Sequence, residues 1–369
     1  MEGTHFVVRR DRLTEHEVVT TPRGPLAPGE AELRVDKFGF TANNISYALR
    51  GESMSYWKFF PEPRASWGRI PAWGFGTVVR TASDVVAVGE RYYGYFPMSS
   101  HLVIQPKRID DVGFFDAAPH RRYLSAVYNH YLRTTRDPSY HPDTESAQVV
   151  LRPVFGTSFF LADYLREYGL FDAEVALVSS ASSKLACGMA YCLAADARRD
   201  RRKIIGVTAE RNLPFVARLG VFERVITYPE VTSLPAAQRA VYVDIAGSQA
   251  LRATVHQHFG SALRYSIMIG ATHQEIQPSS EPLPGPEPVP FFVPTWIRHR
   301  NQQWTPEGVR RQVGDAWRQY MGGILDPVRG WMTIVSGAGA EAVARIYEDV
   351  RAGRARADEA YVLSLSNAA

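Results

Sequence analysis

Between residues 175 and 211 the chain strings together the residue types that hold a diphosphate. Val175 to Val178 is a short apolar run that delivers the backbone to Ser179-Ser180-Ala181-Ser182-Ser183, residues small enough for a phosphate to approach the main chain. The helix expected next, Lys184 to Ala194, would aim its unpaired N–H groups and the positive end of its dipole at that phosphate. The hydroxyls of Ser180, Ser182 and Ser183 add donors, and Lys184 adds a full charge. The usual Gly-x-Gly-x-x-Gly is missing, and only Gly188 stands where close helix–strand packing asks for a glycine. A serine cap on an ordinary helix is the competing reading. The second strand, Ile204 to Val207, runs into Thr208-Ala209-Glu210-Arg211-Asn212. Thr208 cannot serve as the acidic partner of a ribose 2′-hydroxyl, whereas Arg211 offers a planar fork to a 2′-phosphate. The phosphorylated dinucleotide, NADP(H), is therefore the expected cofactor, with a solvated Glu210/Arg211 pair as the alternative.

Composition bounds what could carry such a site. With 369 residues, two domains are the default. Hydrophobic residues at 45% and aromatic residues at 12% describe a globular chain. The net charge of +4, from 42 basic and 38 acidic residues, is too small and too scattered to argue for nucleic acid. No apolar run is long enough to span a membrane, and Met1-Glu2-Gly3-Thr4-His5 lacks the pattern of a signal peptide, so a cytoplasmic protein acting on a small molecule is expected. Cys187 and Cys192, five apart on the expected helix, point to different faces. Neither a disulfide framework nor a metal pair follows from them, and no metal is expected.

The elements sort into two kinds. Over about residues 1 to 110, short strands lie close together and are broken by Gly and Pro: Phe6 to Val8, Glu17 to Thr21, Ala31 to Val35, Ile70 to Val79, Arg91 to Phe96 and His101 to Ile104. Leu124, Val127, Tyr128, Tyr131 and Leu132 fall at helical spacing, which predicts a helix over Arg121 to Arg133 with His120 and Tyr128 near one face. Val149 to Tyr168 predicts a long helix. Beyond the serine turn, strands at Val225 to Tyr228, Val241 to Ile245 and Arg264 to Gly270 alternate with helices, specifying a parallel sheet covered on both faces. Helices are expected over Glu307 to Met321 and Gly339 to Ala352, with strands at Trp331 to Val335 and Tyr361 to Leu365.

This order resembles the medium-chain dehydrogenase/reductase superfamily, in its zinc-independent quinone- and enoyl-reductase branch. Val88-Gly-Glu-Arg-Tyr-Tyr-Gly94 is similar to that superfamily's V-G-D-R-V-Y-G turn. Gly206-Val-Thr208, Leu219-Gly220, Val243-Asp-Ile-Ala-Gly247 and Gly270-Ala-Thr272 fall in its cofactor-domain order. Asn43-Asn44, Trp73-Gly-Phe75, Gly94-Tyr-Phe-Pro-Met98 and Ser179-Ser-Ala-Ser-Ser-Lys184 are similar to the DUF2855 family within it. The chain departs from the superfamily in the lost glycine fingerprint and in an insertion between residues 110 and 150.

The resemblance implies an α/β fold: a GroES-like β-rich catalytic domain over 1–149, completed by 296–369, and a Rossmann doubly wound parallel-sheet cofactor domain over 150–295. It implies hydride transfer to an activated C=C, quinone or carbonyl, and a possible homodimer. Tyr56 lies in the region where related enoyl reductases carry a catalytic tyrosine, with Tyr47 second and Asn43 and Asn44 as orienting donors. For Tyr56, packing with Trp57, Phe59 and Phe60 is the competing reading. Tyr228 and Gly247 are expected along the dinucleotide, and Gly270, Ala271 and Thr272 beside its nicotinamide. An alcohol/ketone oxidoreductase, or a nucleotide-binding protein without catalysis, are the alternatives.

Overall fold

The computed structural model describes residues 2–108, 111–195, 203–269, 282–326 and 330–366. In chain order its first strands are β1 (Glu2–Arg9), β2 (His16–Pro22) and β3 (Ala31–Phe40), followed by helix α1 (Ala42–Leu49). Next come β4 (Trp67–Gly68), β5 (Pro71–Thr81), β6 (Arg91–Pro97), β7 (His101–Ile104), β8 (Pro106–Arg108), β9 (Gly113–Asp116) and β10 (His130–Arg133). Helix α2 (Glu145–Glu167) leads to β11 (Val175–Ser179), α3 (Lys184–Ala194), β12 (Lys203–Thr208), α4 (Leu213–Arg218) and β13 (Arg224–Thr227). Then follow β14 (Ala240–Asp244), α5 (Gln249–Phe259), β15 (Leu263–Met268), β16 (Val289–Pro290) and α6 (Val293–Ile324). The chain closes with β17 (Thr333–Ala338), α7 (Gly339–Arg351) and β18 (Glu359–Ser364).

Contacts divide the chain into two compact units, residues up to Pro153 together with those from Met332, and Val154–Trp331. In the first unit β1, β2 and β4 form a small sheet. A nine-stranded sheet runs β17-β18-β3-β5-β6-β10-β9-β8, with β7 also paired to β3. Its core is built from the inward-facing residues of its strands, Leu33, Val35, Val78 and Phe96 among them, with Ile70 just before β5, closed by Val343, Ile346 and Tyr347 of α7. Helix α7 has an apolar stripe at Val343, Ile346, Tyr347 and Val350, the spacing that turns one helical face to a core.

His5 sits in this unit between two hydroxyls, Ser99 Oγ at 2.8 Å and Thr21 Oγ1 at 2.9 Å, a setting that suits a neutral ring able to donate on one side and accept on the other. Burial first, then the charge of Arg69, holds its imidazole down at about 4. Because the unfolded chain binds the proton more readily, stability is intact above pH 6.5 and falls as pH drops towards 4, by on the order of 2–3 kcal/mol. Urea midpoints at pH 7 and pH 4.5 are expected to separate less in His5→Asn than in the parent. Equal separation would remove His5 as the source.

In the second unit all six strands are parallel, in the order β13-β12-β11-β14-β15-β16. Counted within the unit this is 3-2-1-4-5-6, the doubly wound order, and the order in which strands are added reverses between β11 and β14. β11 and β14 are buried at every residue, as expected for strands covered on both faces.

Three expectations change. The segment 121–133 is not a helix; short 3-10 turns at Pro119–Arg121 and Ala126–Tyr128 are followed by β10. Arg121, buried with its guanidinium bonded to Asp116 and Asn129, fixes these turns, and the backbone of 130–133 is spent on pairing with β9 and β6. Val127, one of the residues that made the helical pattern, is 63% exposed, so that pattern marked no buried face. His120 and Tyr128 therefore share no helix face. The helix expected from Glu307 is present, but a further helix from Val293 precedes it, the two joined within α6 across a break at Thr305. Residues 296–331 belong to the second unit, not to the first, because Trp296 and Arg300 bond to Asp163 and because Trp317 and Tyr320 pack on Phe155. No described helix is long and apolar enough to cross a membrane.

Candidate functional site

At the switch point of the parallel sheet the serine turn takes a defined shape. Ser179 is fully buried, and its Oγ accepts the N–H groups of Ile245 (2.9 Å) and Ala246 (3.0 Å), with Asp244 Oδ1 3.3 Å away. This hydroxyl is spent tying the ends of β11 and β14 together. Ser180 follows with φ +52°, the left-handed region where glycine is at home. A side chain there costs about 1 kcal/mol, so Ser180→Gly is expected to raise unfolding stability by roughly that amount. A stability loss in urea melts would show instead that the Ser180 hydroxyl outweighs the backbone.

The remaining serines are set as donors. Ser182 Oγ accepts from Asn212 Nδ2 at 3.0 Å and from Thr208 Oγ1 at 3.2 Å, which leaves its own proton to point away from both. Ser183 is the N-cap of α3 and accepts the Ala186 N–H at 3.2 Å. Two backbone N–H groups in the turn are committed, Ala181 to Val207 O and Ser183 to Ser180 O. Those of Ser182 and Leu185 meet no acceptor among the described residues. Lys184 begins the helix and is partly buried.

Two glycines replace part of the missing fingerprint. A Cβ on Gly188 would lie 2.8 Å from Ser158 Oγ, so this glycine lets α3 sit against α2. A Cβ on Gly206 of β12 would lie 3.0 Å from the Ala181 Cβ, so the turn is allowed to pass close to the neighbouring strand. The close approach demanded by the fold is met from the strand opposite the turn.

Around this turn the expected residues separate. Thr208 is fully buried and reaches the turn through Ser182. Arg211 and Glu210 are exposed, form no ion pair with each other, and Arg211 meets no carboxylate among the described residues. The solvated Glu210/Arg211 pair is thus not formed. Tyr228 is half-buried; burial raises its phenol, opposed by a hydrogen bond with Ser180. Gly247 adopts φ +66° and its N–H is taken by Asp244 Oδ1 at 2.9 Å, so it shapes the loop after β14 and offers no amide. Gly270, Ala271 and Thr272 lie outside the described residues.

Sequence reading missed the pair that holds this loop, Asp244 and Arg252, which meet at 2.7 and 2.9 Å with Asp244 fully buried. The signal was present: Asp244 ends a buried strand, and Arg252 lies eight residues on, inside the next helix.

The first unit gathers a cluster of phenols. Tyr47 comes from α1, Tyr56 from the 3-10 turn Tyr56–Lys58, Tyr95 from β6 and Tyr128 from the turn before β10. Tyr47 and Tyr56 stand 4.6 Å apart by ring centroids, Tyr95 and Tyr128 4.7 Å, and the hydroxyls of Tyr56 and Tyr128 are 3.2 Å apart. Phe59, Phe60 and Trp73 complete the cluster. Trp57, expected beside Tyr56, packs in the main core instead. The Tyr47 phenol is pushed up to about 12 by burial and by Tyr56, against hydrogen bonds with Trp73, Asn43 and Tyr128. The Tyr95 hydroxyl is buried with no hydrogen-bond partner among the described residues.

Asn44 is not an orienting donor. Its Oδ1 accepts the Thr41 N–H at 2.8 Å in a capping box that starts α1, and one N–H of its Nδ2 donates to Pro71 O of β5 at 2.9 Å, so the amide is held by the fold at both ends. Asn43, one residue earlier, is exposed and faces Tyr47. Among the described residues no group of three or more His, Cys, Asp or Glu is placed to hold a metal ion.

The profile of a family described as a protein of unknown function, DUF2855, matches residues 38–356. The chain belongs to the DUF2855 family. No curated protein is significantly similar in sequence. Among solved structures, CurA from Vibrio vulnificus is similar to this DUF2855 chain with a TM-score of 0.63 at 12% identity, over 99% of each chain. CurA in complex with NADPH gives 0.57 at 14% identity over 95% of each. A putative NADPH:quinone reductase from Mesorhizobium loti gives 0.59 at 12% over 98% of each. These likenesses are of fold alone: a β-rich part and a doubly wound parallel-sheet part, as in the reductases compared.

Proposed function

We propose that this protein is an NADP(H)-dependent oxidoreductase that acts without a metal, reducing an activated C=C bond, a quinone or a carbonyl compound. The observation that carries it is the serine turn at the switch point of a 3-2-1-4-5-6 sheet, with the hydroxyls of Ser182 and Ser183 left as donors. The residues fit a dinucleotide: uncommitted N–H groups at Ser182 and Leu185 and the charge of Lys184 suit the diphosphate, and Arg211 suits a 2′-phosphate. The solved CurA complex with NADPH shares this fold and supports the reading.

When bound, the reduced nicotinamide supplies the hydride. The first unit supplies the proton, from Tyr56 with Tyr47 beside it, and Asn43 steadies Tyr47. The aromatic walls formed by Phe59, Phe60 and Trp73 keep that phenol cluster away from water. Titrating NADPH and NADH into the protein while following nucleotide fluorescence and thermal shift tests the binding half. A response to NADPH at lower concentration than NADH is expected. A panel of quinones, enones and aldehydes then tests turnover. Silence with both nucleotides removes the redox reading, and binding without turnover leaves a nucleotide-binding protein.

A further inference from the structure

The segment between residues 110 and 150 delivers one phenol, Tyr128, into the cluster, 72 positions away from the tyrosine whose hydroxyl it meets. The turn that carries it is held by a single buried cation. Arg121 Nη2 donates to the Tyr128 carbonyl at 2.7 Å, Nε to Asn129 Oδ1 at 2.7 Å, and Nη1 to Asp116 Oδ2 at 2.8 Å and Tyr131 Oη at 3.0 Å. Its guanidinium plane lies 5.4 Å from the ring of Phe59 and 5.1 Å from that of Phe60. The Tyr131 hydroxyl in turn bonds to the Tyr95 carbonyl. One fork therefore fixes the strand position of Tyr95 and the turn position of Tyr128 together, and it does so from inside the protein, where a guanidinium is costly to hold without such partners.

We propose that Tyr128, positioned by Arg121, is the hydrogen-bond donor that makes Tyr56 a stronger acid, so that the turn carrying Tyr128 completes the proton-donating site. This rests on the oxidoreductase reading above. When the Tyr56 O–H bond breaks and its proton passes to the acceptor oxygen, as hydride from the reduced nicotinamide reaches the acceptor, Tyr56 is left as a phenolate. The Tyr128 hydroxyl, 3.2 Å away, then donates to that oxygen. A donor aimed at the charged form favours it. The other ionisable groups facing the pair are Tyr47 from α1, Tyr95 from β6, and Arg121 with its counter-ion Asp116. Burial, then Tyr47 and Tyr56, pushes the Tyr128 phenol up, so it keeps its proton and remains the donor. The Tyr95 hydroxyl, buried and without an acceptor among the described residues, is a second donor facing the pair, which is consistent with an acceptor oxygen arriving from a ligand.

The test separates this inference from the function it rests on. Phenolate absorbance is titrated in the ligand-free protein, and subtracting the Tyr56→Phe variant isolates Tyr56; the same subtraction is made in a Tyr128→Phe background. Tyr56 is expected to titrate about one pH unit higher without Tyr128. Turnover of NADPH with benzoquinone, an enone or an aldehyde should then fall about tenfold in kcat in Tyr128→Phe, with KM little changed and the alkaline limb moved upward. Arg121→Lys, which keeps the charge and loses the fork, should move the titration in the same direction. An unshifted Tyr56 titration in Tyr128→Phe overturns the inference whatever the turnover. A parent protein that turns over none of the acceptors overturns the oxidoreductase reading instead.

Discussion

Arg121→Ala is expected to lose about 3–5 kcal/mol of unfolding stability, the loss typical of breaking a buried ion pair from one side. The side chains of Arg121 and Asp116 are 1% and 2% exposed, so water cannot replace the lost partner. Asp116 would keep two backbone donors on Oδ1, from Gln105 and Ala118 at 3.0 Å each, while Oδ2 faced a cavity lined by other acceptors that Arg121 had served. Asn129 and the Tyr128 carbonyl would lose their donors in the same step. For a unit of this size the midpoint of thermal unfolding should drop by about 10 °C. The charge origin of the loss is checked by a second variant, Arg121→Met with Asp116→Asn, which keeps the Oδ1 acceptor and removes the stranded carboxylate. It should be more stable than Arg121→Met alone by about 1–2 kcal/mol. A double variant no more stable than the single one would show that Arg121 stabilises by packing between Phe59 and Phe60.

The same residue marks where the sequence stopped being legible. Elements fixed by local pattern were readable: Ser183 before an apolar run announces α3 from Lys184 to Ala194, and His101 to Ile104 is a strand end to end. Alternation of strands with helices specified the parallel sheet, and its order follows from chain connectivity once right-handed crossovers are imposed. Segment 121–133 was unreadable for a physical reason. Its apolar residues fall at helical spacing, while the energy that decides its path lies in contacts of Arg121 and in pairing of 130–133 with strands formed elsewhere. The limits of the second unit failed likewise, since Arg300 and Asp163 meet across 137 residues of sequence.

Site residues follow the same division. Ser182 and Ser183 could be named because a turn followed by a helix is local. The spending of Ser179 on Ile245 and Ala246 could not, since those amides come from another strand's loop. Tyr56 and Tyr47 were close enough along the chain to be grouped. Tyr95 and Tyr128 join them only through the sheet and the turn before β10. Asn44 shows the converse: the contacts that hold its amide, to Thr41 and Pro71, lie partly on another strand.

Arg211→Ala should weaken NADPH binding by about 10- to 100-fold and leave NADH binding nearly unchanged. The estimate takes a charge-assisted contact to phosphate as worth roughly 1.5–3 kcal/mol, converted at 1.4 kcal/mol per tenfold. Arg211 is suited to this role by what it does not do. It is exposed in the short turn Glu210–Asn212, one position before the Asn212 that donates to Ser182, and no carboxylate among the described residues competes for its fork. Loss of its side chain therefore removes little packing, and urea melts of the variant should overlay those of the parent, which separates a binding effect from a folding one. Raising the salt should shrink the difference between parent and variant for NADPH, because an exposed charge contact is screened over about 8–10 Å. Parallel weakening of both nucleotides would place Arg211 at a group they share, the diphosphate or the adenine, and the preference for the phosphorylated cofactor would then have to come from elsewhere in the second unit.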